Sequence, residues 1–234
     1  MESGKSLKDM TLEELWKLFP ITLVPYDPQW KDWANEEIEL LKSILTHHFM
    51  SEDGGVVINH IGSTAVEGIY AKPIIDILVE VVDSDLSGAV VDVDEGAKEA
   101  NPGEKEGGNG LIKNKIMNQS GVWDRIVEVM ERNGYILMAR DERRMSFNKG
   151  YTQSGYAERV FHIHFHQPGD NDEILFRDYL RAHPEVAEDY ENLKLSLLPK
   201  YRHNRDGYTE AKTEFVKKIV KLAGKLGGDR DIRR

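Results

Sequence analysis

A glycine–serine pair at the end of one apolar run, and an aspartate alone inside the next, are the residues whose types and spacing best suit chemistry. Val56 to Ile61 has strand length, and His60-Ile61-Gly62-Ser63-Thr64 places the pair directly after it, ahead of a short helix expected over Thr64 to Tyr70. Glycine lets a backbone approach a ligand that a Cβ would repel. Free N–H groups at the helix start around Thr64, with the Ser63 hydroxyl, suit phosphate oxygens. A plain turn with an N-cap serine uses the same residues. Twelve residues separate Ser63 from Asp76, which interrupts the apolar strand Pro73 to Val82 (PIIDILVEVV). A carboxylate there is costly unless it is paired or binds a metal. A strand end beside a helix start projects Asp76 toward the phosphate, where Mg²⁺ can bridge the two. The alternative is a structural salt bridge to Lys72 or Arg159. Glu80 shares the sheet face of Asp76, but four residues span roughly 13 Å, too far for one ion.

His162-Ile163-His164-Phe165-His166 is the second constellation. In a strand, alternate residues face one way, so the three imidazoles share a face while Phe161, Ile163 and Phe165 pack inward. Neutral imidazole suits Zn²⁺, Mn²⁺ or Fe²⁺ better than Mg²⁺. One histidine can instead act as a general base or hydrogen-bond a phosphate, or all three can be satisfied by neighbours. The spacing is also similar to the histidine triad hydrolases, in which the middle histidine, here His164, attacks a nucleotide phosphate. Gln167-Pro168 follows where that pattern has two apolar residues.

The chain must be able to position such groups. It has 234 residues, 40% of them hydrophobic and 31% charged, enough for one full domain with a buried core. It has no cysteine, so disulfides and thiolate metal sites are excluded. No apolar run approaches membrane-spanning length and Met1 to Lys8 lacks a signal-peptide core, so a cytoplasmic protein without a membrane partner is expected. A net charge of −10 argues against non-specific nucleic-acid binding. On so acidic a chain, the clusters Arg140, Arg143, Arg144 and Lys200, Arg202, Arg205 mark either a small-anion site or a solvated face.

Local signals give the elements. Thr11 and Glu14 form a capping box for a helix over 11–18, and Ile21 to Val24 is strand-like. Asp27-Pro28 starts a long helix over 28–46, with Trp30, Trp33, Ile38, Leu41 and Leu45 at helical spacing. Asp53-Gly54-Gly55 is a turn. Residues 83–120 are acidic, rich in glycine and poor in large apolar residues, as expected of a partly disordered surface insertion. A helix over Val122 to Glu131 ends at Asn133-Gly134. Strands follow at Tyr135 to Ala139, Met145 to Phe147 and Arg159 to His166, the last two joined by a hairpin loop over Asn148 to Ala157. Helices are expected over 172–182, 184–198 and 208–225. This order predicts an α/β or α+β fold. A helical extension at 1–20 precedes a core at 21–170 with a mixed sheet, and a helical cap at 171–234 follows.

The segment HIGSTAVEGIYAKPIIDILVEV resembles the signature of the GrpB family, as do FHIHFH, FRDYLRAHPEVAEDYENLK and GYTEAKTEFV, over about 21–221 apart from the insertion. That family is similar to the nucleotidyltransferase superfamily, whose pattern is a Gly-Ser turn followed by Asp-hydrophobic-Asp. The resemblance implies a nucleotidyltransferase-like sheet, with Gly62, Ser63 and Thr64 on nucleotide phosphates and Asp76 on Mg²⁺ or Mn²⁺. The second acid of the pair falls at Leu78, which coordinates nothing, and a two-metal mechanism needs carboxylates at both positions. The layout implies that His162 and His164 complete the site with Asp76 and Glu158, for Zn²⁺ among other ions. Arg177, Tyr208 and Lys212 match recurrent family positions, with Arg177 or Lys212 on phosphate under the cap. Lys72 reaches the same anion or faces solvent. Two functions follow: transfer of a nucleotidyl or phosphoryl group from an NTP to a small-molecule acceptor, or a catalytically inactive module that binds nucleotides or phospho-metabolites.

Overall fold

Capping residues and apolar periodicity decide the elements. A computed structural model describes residues 5–49, 55–82 and 121–231. The insertion expected at 83–120 and most of the turn at 53–55 lie outside the described residues. Thr11 caps α1 (Leu12–Leu18): its Oγ1 accepts from Glu14 N–H at 3.2 Å, and Glu14 Oε2 accepts from Thr11 N–H at 2.6 Å. Asp27 Oδ1 accepts from Gln29 N–H at 2.9 Å to start α2 (Gln29–Phe49), which buries Trp30, Ala34, Leu41 and Leu45. There follow β1 (Gly55–Ile61), β2 (Ile75–Val82), helix α3 over 121–132, β3 (Ile136–Arg140), β4 (Arg144–Thr152) and β5 (Gly155–His166). The chain then becomes helical through α4 (Asp172–Ala182), α5 (Pro184–Tyr201), α6 (Arg205–Glu210) and α7 (Thr213–Asp231).

The described strands form one mixed sheet in the order β1-β2-β5-β4-β3, with β2 and β5 parallel and the other neighbours antiparallel. Period-two alternation in the central pair divides the molecule. One face carries Ile75, Ile77, Val79, Val81, Phe161, Ile163 and Phe165, packed with Trp30, Leu41, Trp123 and Ile126 from α2 and α3 in one core. Glu37 is buried on this side; Lys149 Nζ donates to both its oxygens at 2.8 Å and Tyr135 Oη donates at 2.6 Å. The opposite face carries Asp76, Leu78, Glu80, His162, His164 and His166. A second apolar cluster joins Val66 and Ile69 to Phe176, Leu180, Ala187, Tyr190 and Ile219 of α4, α5 and α7. The mixed α/β class and the C-terminal helical layer are as the sequence predicts.

Several boundaries differ from expectation. Thr64 to Tyr70 holds only a single 3-10 turn, Ser63–Ala65. Ile21 to Val24 contributes an isolated bridge from Val24 to Ala71 rather than a strand. The hairpin loop over 148–157 shrinks to a turn between Thr152 and Gly155, because β4 continues past a bulge between Lys149 and Tyr151. Gly150 permits this at φ 92°, where a Cβ would lie 2.2 Å from the Arg159 carbonyl oxygen. The last predicted helix breaks at 211–212 into α6 and α7. Near the N-terminus, Phe19 packs its ring 4.7 Å from Tyr151 and 5.0 Å from Tyr156.

Candidate functional site

Strand register assembles the chemistry. Across the parallel ladder Asp76 pairs with His162, and Leu78 with His164. Asp76 Oδ1 lies 3.3 Å from His162 Nδ1 and 3.3 Å from His164 Nε2. Burial works to raise the Asp76 carboxyl, but hydrogen bonds from the two imidazoles outweigh it and hold the group well below the usual carboxylate range. Burial brings His162 down to about 4 despite the carboxylate beside it, so a neutral ring faces an ionised acid at neutral pH. Two ligands each about 2.1 Å from a tetrahedral ion stand about 3.4 Å apart. The three donor atoms, all within 4.8 Å of one another, fit one such ion.

An outer group orients His162. Tyr151 Oη lies 2.7 Å from His162 Nε2, and Arg205 donates to Tyr151 Oη at 3.1 Å while its other terminal nitrogen lies 3.2 Å from His162 Nε2. With Nε2 engaged by Tyr151, Nδ1 is the nitrogen turned to Asp76.

The cluster opens into a cavity of about 660 Å³ between the sheet and the C-terminal helices, whose wall includes Gly62, Ser63, Lys72, Asp76, Lys194 and Lys212. Lys194 is 2% exposed; its Nζ donates to Ser63 Oγ at 3.2 Å and to the Tyr70 carbonyl. Lys212 and Lys72 place Nζ 4.7 Å and 5.9 Å from the centroid of the buried Tyr208 ring. Burial, reinforced by Arg205 and Lys212, brings Lys72 down to about 7. Burial, reinforced by Lys212, brings Lys194 down to about 7, and burial lowers Lys212 as well. Crowded cations that shed protons this readily form a site short of negative charge, which an anion would supply.

The expected residues separate into those the fold brings together and those it does not. Gly62, Ser63, Asp76, His162, His164, Lys72 and Lys212 all line the cavity. Thr64 also reaches its wall, but it is buried and its Oγ1 is held by His60 Nε2 at 2.9 Å and the Ile74 carbonyl at 3.4 Å, a packing role. Arg177 is spent on the His60 carbonyl at 2.8 Å and on Asp178 at 2.8 Å, tying α4 to β1. Glu158 is exposed on β5, four residues and thus roughly 13 Å from His162, so it does not join the cluster. Within the 3-10 turn Ala65 and Val66 donate to the Gly62 and Ser63 carbonyls, so helix-start N–H groups for a phosphate come down to those of Ser63 and Thr64. His166 belongs to a separate group with Asp170 and Glu173. Arg159 pairs with Glu36 at 2.5 Å, leaving Asp76 to the histidines.

Lys194 is the residue sequence reasoning passed over. Its signal was a lysine at i+7 from Ala187 and i+4 from Tyr190, in the apolar stripe of α5, where a solvated charge has no place. Arg205 stood out only as one of a basic cluster.

A mixed five-stranded sheet with a cation-lined cavity over an Asp-His-His cluster defines a mixed α/β protein with a candidate ligand site built on its central parallel pair. The chain belongs to the GrpB family, whose model, described as GrpB protein, matches residues 20–95 and 115–222. It is 28% identical over 222 residues to the UPF0157 protein YqkA of Bacillus subtilis (strain 168), covering 92% of this chain and 51% of that protein. It is 29% identical to the glutamate-rich protein GrpB of Alkalihalophilus pseudofirmus, covering 86% of this chain and 94% of the relative. The chain thus spans about half the length of YqkA and nearly all of the second relative. The crystal structure of conserved protein GrpB from Enterococcus faecalis superposes with a TM-score of 0.58 at 29% identity, covering 88% of this chain and 98% of that one. Among the described residues no helix is long and apolar enough to cross a membrane.

Proposed function

We propose that this protein transfers a nucleotidyl or phosphoryl group from a nucleoside triphosphate to a small acceptor, with the aid of one divalent cation, in the cytoplasm. The observation that carries the reading is the convergence of Asp76, His162 and His164 in a cavity that Ser63, Lys72, Lys194 and Lys212 also line. Asp76 and the two imidazoles would hold the cation, and two nitrogen donors favour Mn²⁺ or Zn²⁺ over Mg²⁺. The cation's contribution is to neutralise charge on phosphoryl oxygens. Lys72 and Lys212 bind and orient the phosphates, Arg205 and Tyr151 hold His162 in its tautomer, and the C-terminal helices exclude water.

A second reading is supported by one residue. Leu78, fully buried beside His164, stands where the superfamily pattern has its second acid. With one carboxylate in the pair, the cavity is also suited to a module that grips a nucleotide or phospho-metabolite without chemistry. The histidine-triad alternative gains nothing from the geometry, since His164 gives Nε2 to Asp76.

Calorimetry with ATP, GTP and CTP, with and without Mg²⁺ or Mn²⁺, followed by a pyrophosphate-release assay, separates the readings. Metal-dependent binding with turnover supports transfer. Tight binding without turnover for any acceptor supports the binding module, and no binding of any nucleotide overturns both.

A further inference from the structure

Ser63 has a partner that a merely phosphate-binding serine does not need. Lys194 Nζ stands 3.2 Å from Ser63 Oγ, on the cavity wall and 2% exposed. The Tyr190 ring lies 4.8 Å from the same nitrogen. Glu191, a turn away on α5, gives its carboxylate to the Tyr70 N–H instead. The aromatic face and the carbonyl favour the ammonium, but burial and the nearby Lys212 charge outweigh them and bring this lysine to about 7. An unprotonated amine there keeps one N–H on the Tyr70 carbonyl and presents a lone pair to a primary hydroxyl. Lysine-activated serine is an established way to make that hydroxyl attack.

The turn aims the hydroxyl at the right neighbourhood. Ser63 follows Gly62, whose backbone abuts the Asp76 carboxylate, so the hydroxyl and the Asp-His-His cluster border the same space.

We propose that Ser63 is a nucleophile with Lys194 as its general base, and that the protein forms a covalent adduct on Ser63 from a nucleoside triphosphate. This rests on the nucleotide reading of the same cavity. Ser63 Oγ attacks a phosphorus of the bound triphosphate; the new bond is Oγ–P and the bond that breaks is the bridging P–O bond on the far side. The leaving group carries away the electron pair, as a nucleoside diphosphate if the terminal phosphorus is attacked or as pyrophosphate if the innermost is attacked. Lys194 Nζ takes the hydroxyl proton.

The test is mass spectrometry of the acid-quenched protein after incubation with each NTP and Mn²⁺, with peptide mapping of the wild type, Ser63→Ala and Lys194→Met. Expected is a gain of one phosphoryl or one nucleoside monophosphate group, mapped to Ser63. The adduct disappears in Ser63→Ala and forms about 100-fold or more slowly in Lys194→Met, the usual scale of general-base loss. Mapping on the wild-type protein needs no variant to fold. If calorimetry shows nucleotide and Mn²⁺ bound but Ser63 stays unmodified, the nucleophile role is overturned while the binding site stands. If no nucleotide binds, both fall. An adduct on another residue, or one that forms in Lys194→Met at the wild-type rate, also overturns the dyad.

Discussion

Gly62 and Asp76 are packed so closely that a Cβ on the glycine would stand 2.6 Å from the carboxylate Oδ2. Gly62 also holds φ 71°, in the left-handed region. Gly62→Ala therefore incurs backbone strain of about 1–2 kcal/mol and pushes the carboxylate from its place. Its melting temperature should fall, and Mn²⁺ affinity by calorimetry should drop about 10-fold or more, the scale of disturbing a metal ligand's support. A variant with wild-type values for both would show that the turn tolerates a methyl group.

Asp76→Asn keeps the side chain's shape and removes its charge. The protein should stay folded by circular dichroism while metal-dependent nucleotide binding is lost. Binding equal to wild type would remove Asp76 from the site.

Tyr151→Phe deletes the hydroxyl 2.7 Å from His162 Nε2 and frees that ring to turn. Losing such an outer-shell partner typically costs 10–100-fold in metal affinity, so Mn²⁺ binding should weaken by about 10-fold with little change in melting temperature. An unaltered affinity would mean that Arg205 alone orients the ring.

Lys72 and Lys194 fall to about 7 in the folded protein from an ordinary 10.5. Between those values the unfolded chain binds more protons than the native one, so these two groups make stability rise with pH across that window. Anion binding runs the other way at Lys72, because a phosphate beside it favours the charged lysine, whereas Lys194 turns its lone pair to Ser63. Metal-free binding of inorganic triphosphate should take up protons and weaken steadily as pH rises above about 7. Calorimetry in buffers of different ionisation enthalpy measures the uptake, and pH-independent affinity with no proton transfer would contradict the lowered values.

On the other face of the sheet, Lys149→Met leaves the Glu37 carboxylate buried without its cation. Stranding one partner of such a pair costs about 3 kcal/mol or more, which denaturant unfolding will register. Adding Glu37→Gln to that variant should recover much of the loss; no loss in the single variant would show that water reaches Glu37.

Local grammar made much of this molecule readable in advance. Thr11 and Glu14 announced α1, the tryptophans and leucines of α2 announced its buried face, and alternation put the three histidines on one side of β5. The site was partly readable for the same reason, since Asp76 stands out against isoleucine and leucine. What could not be read depends on pairing between distant segments. Only the parallel register of β2 and β5 sets His164 beside Leu78 yet within reach of Asp76. Glu158 shared the parity of the histidines and still lay too far along the strand. The expected helix after Ser63 failed because Ala71 bridges to Val24, drawing the chain out instead of letting it coil. Lys194 was hidden by sequence distance: 131 positions separate it from the serine it touches.

The cavity separates two apolar clusters, one built on the sheet with α2 and α3, the other on α4, α5 and α7. Asp76 and its histidines stand on the first bank, and Lys194 and Lys212 on the second. A guest held by both banks acts as a keystone, adding its grip to the ties that Arg177 and Arg205 already make between the two halves. Occupancy and cohesion become one quantity, growing as RT ln(1 + [L]/Kd), and an emptied arch loosens first along that seam.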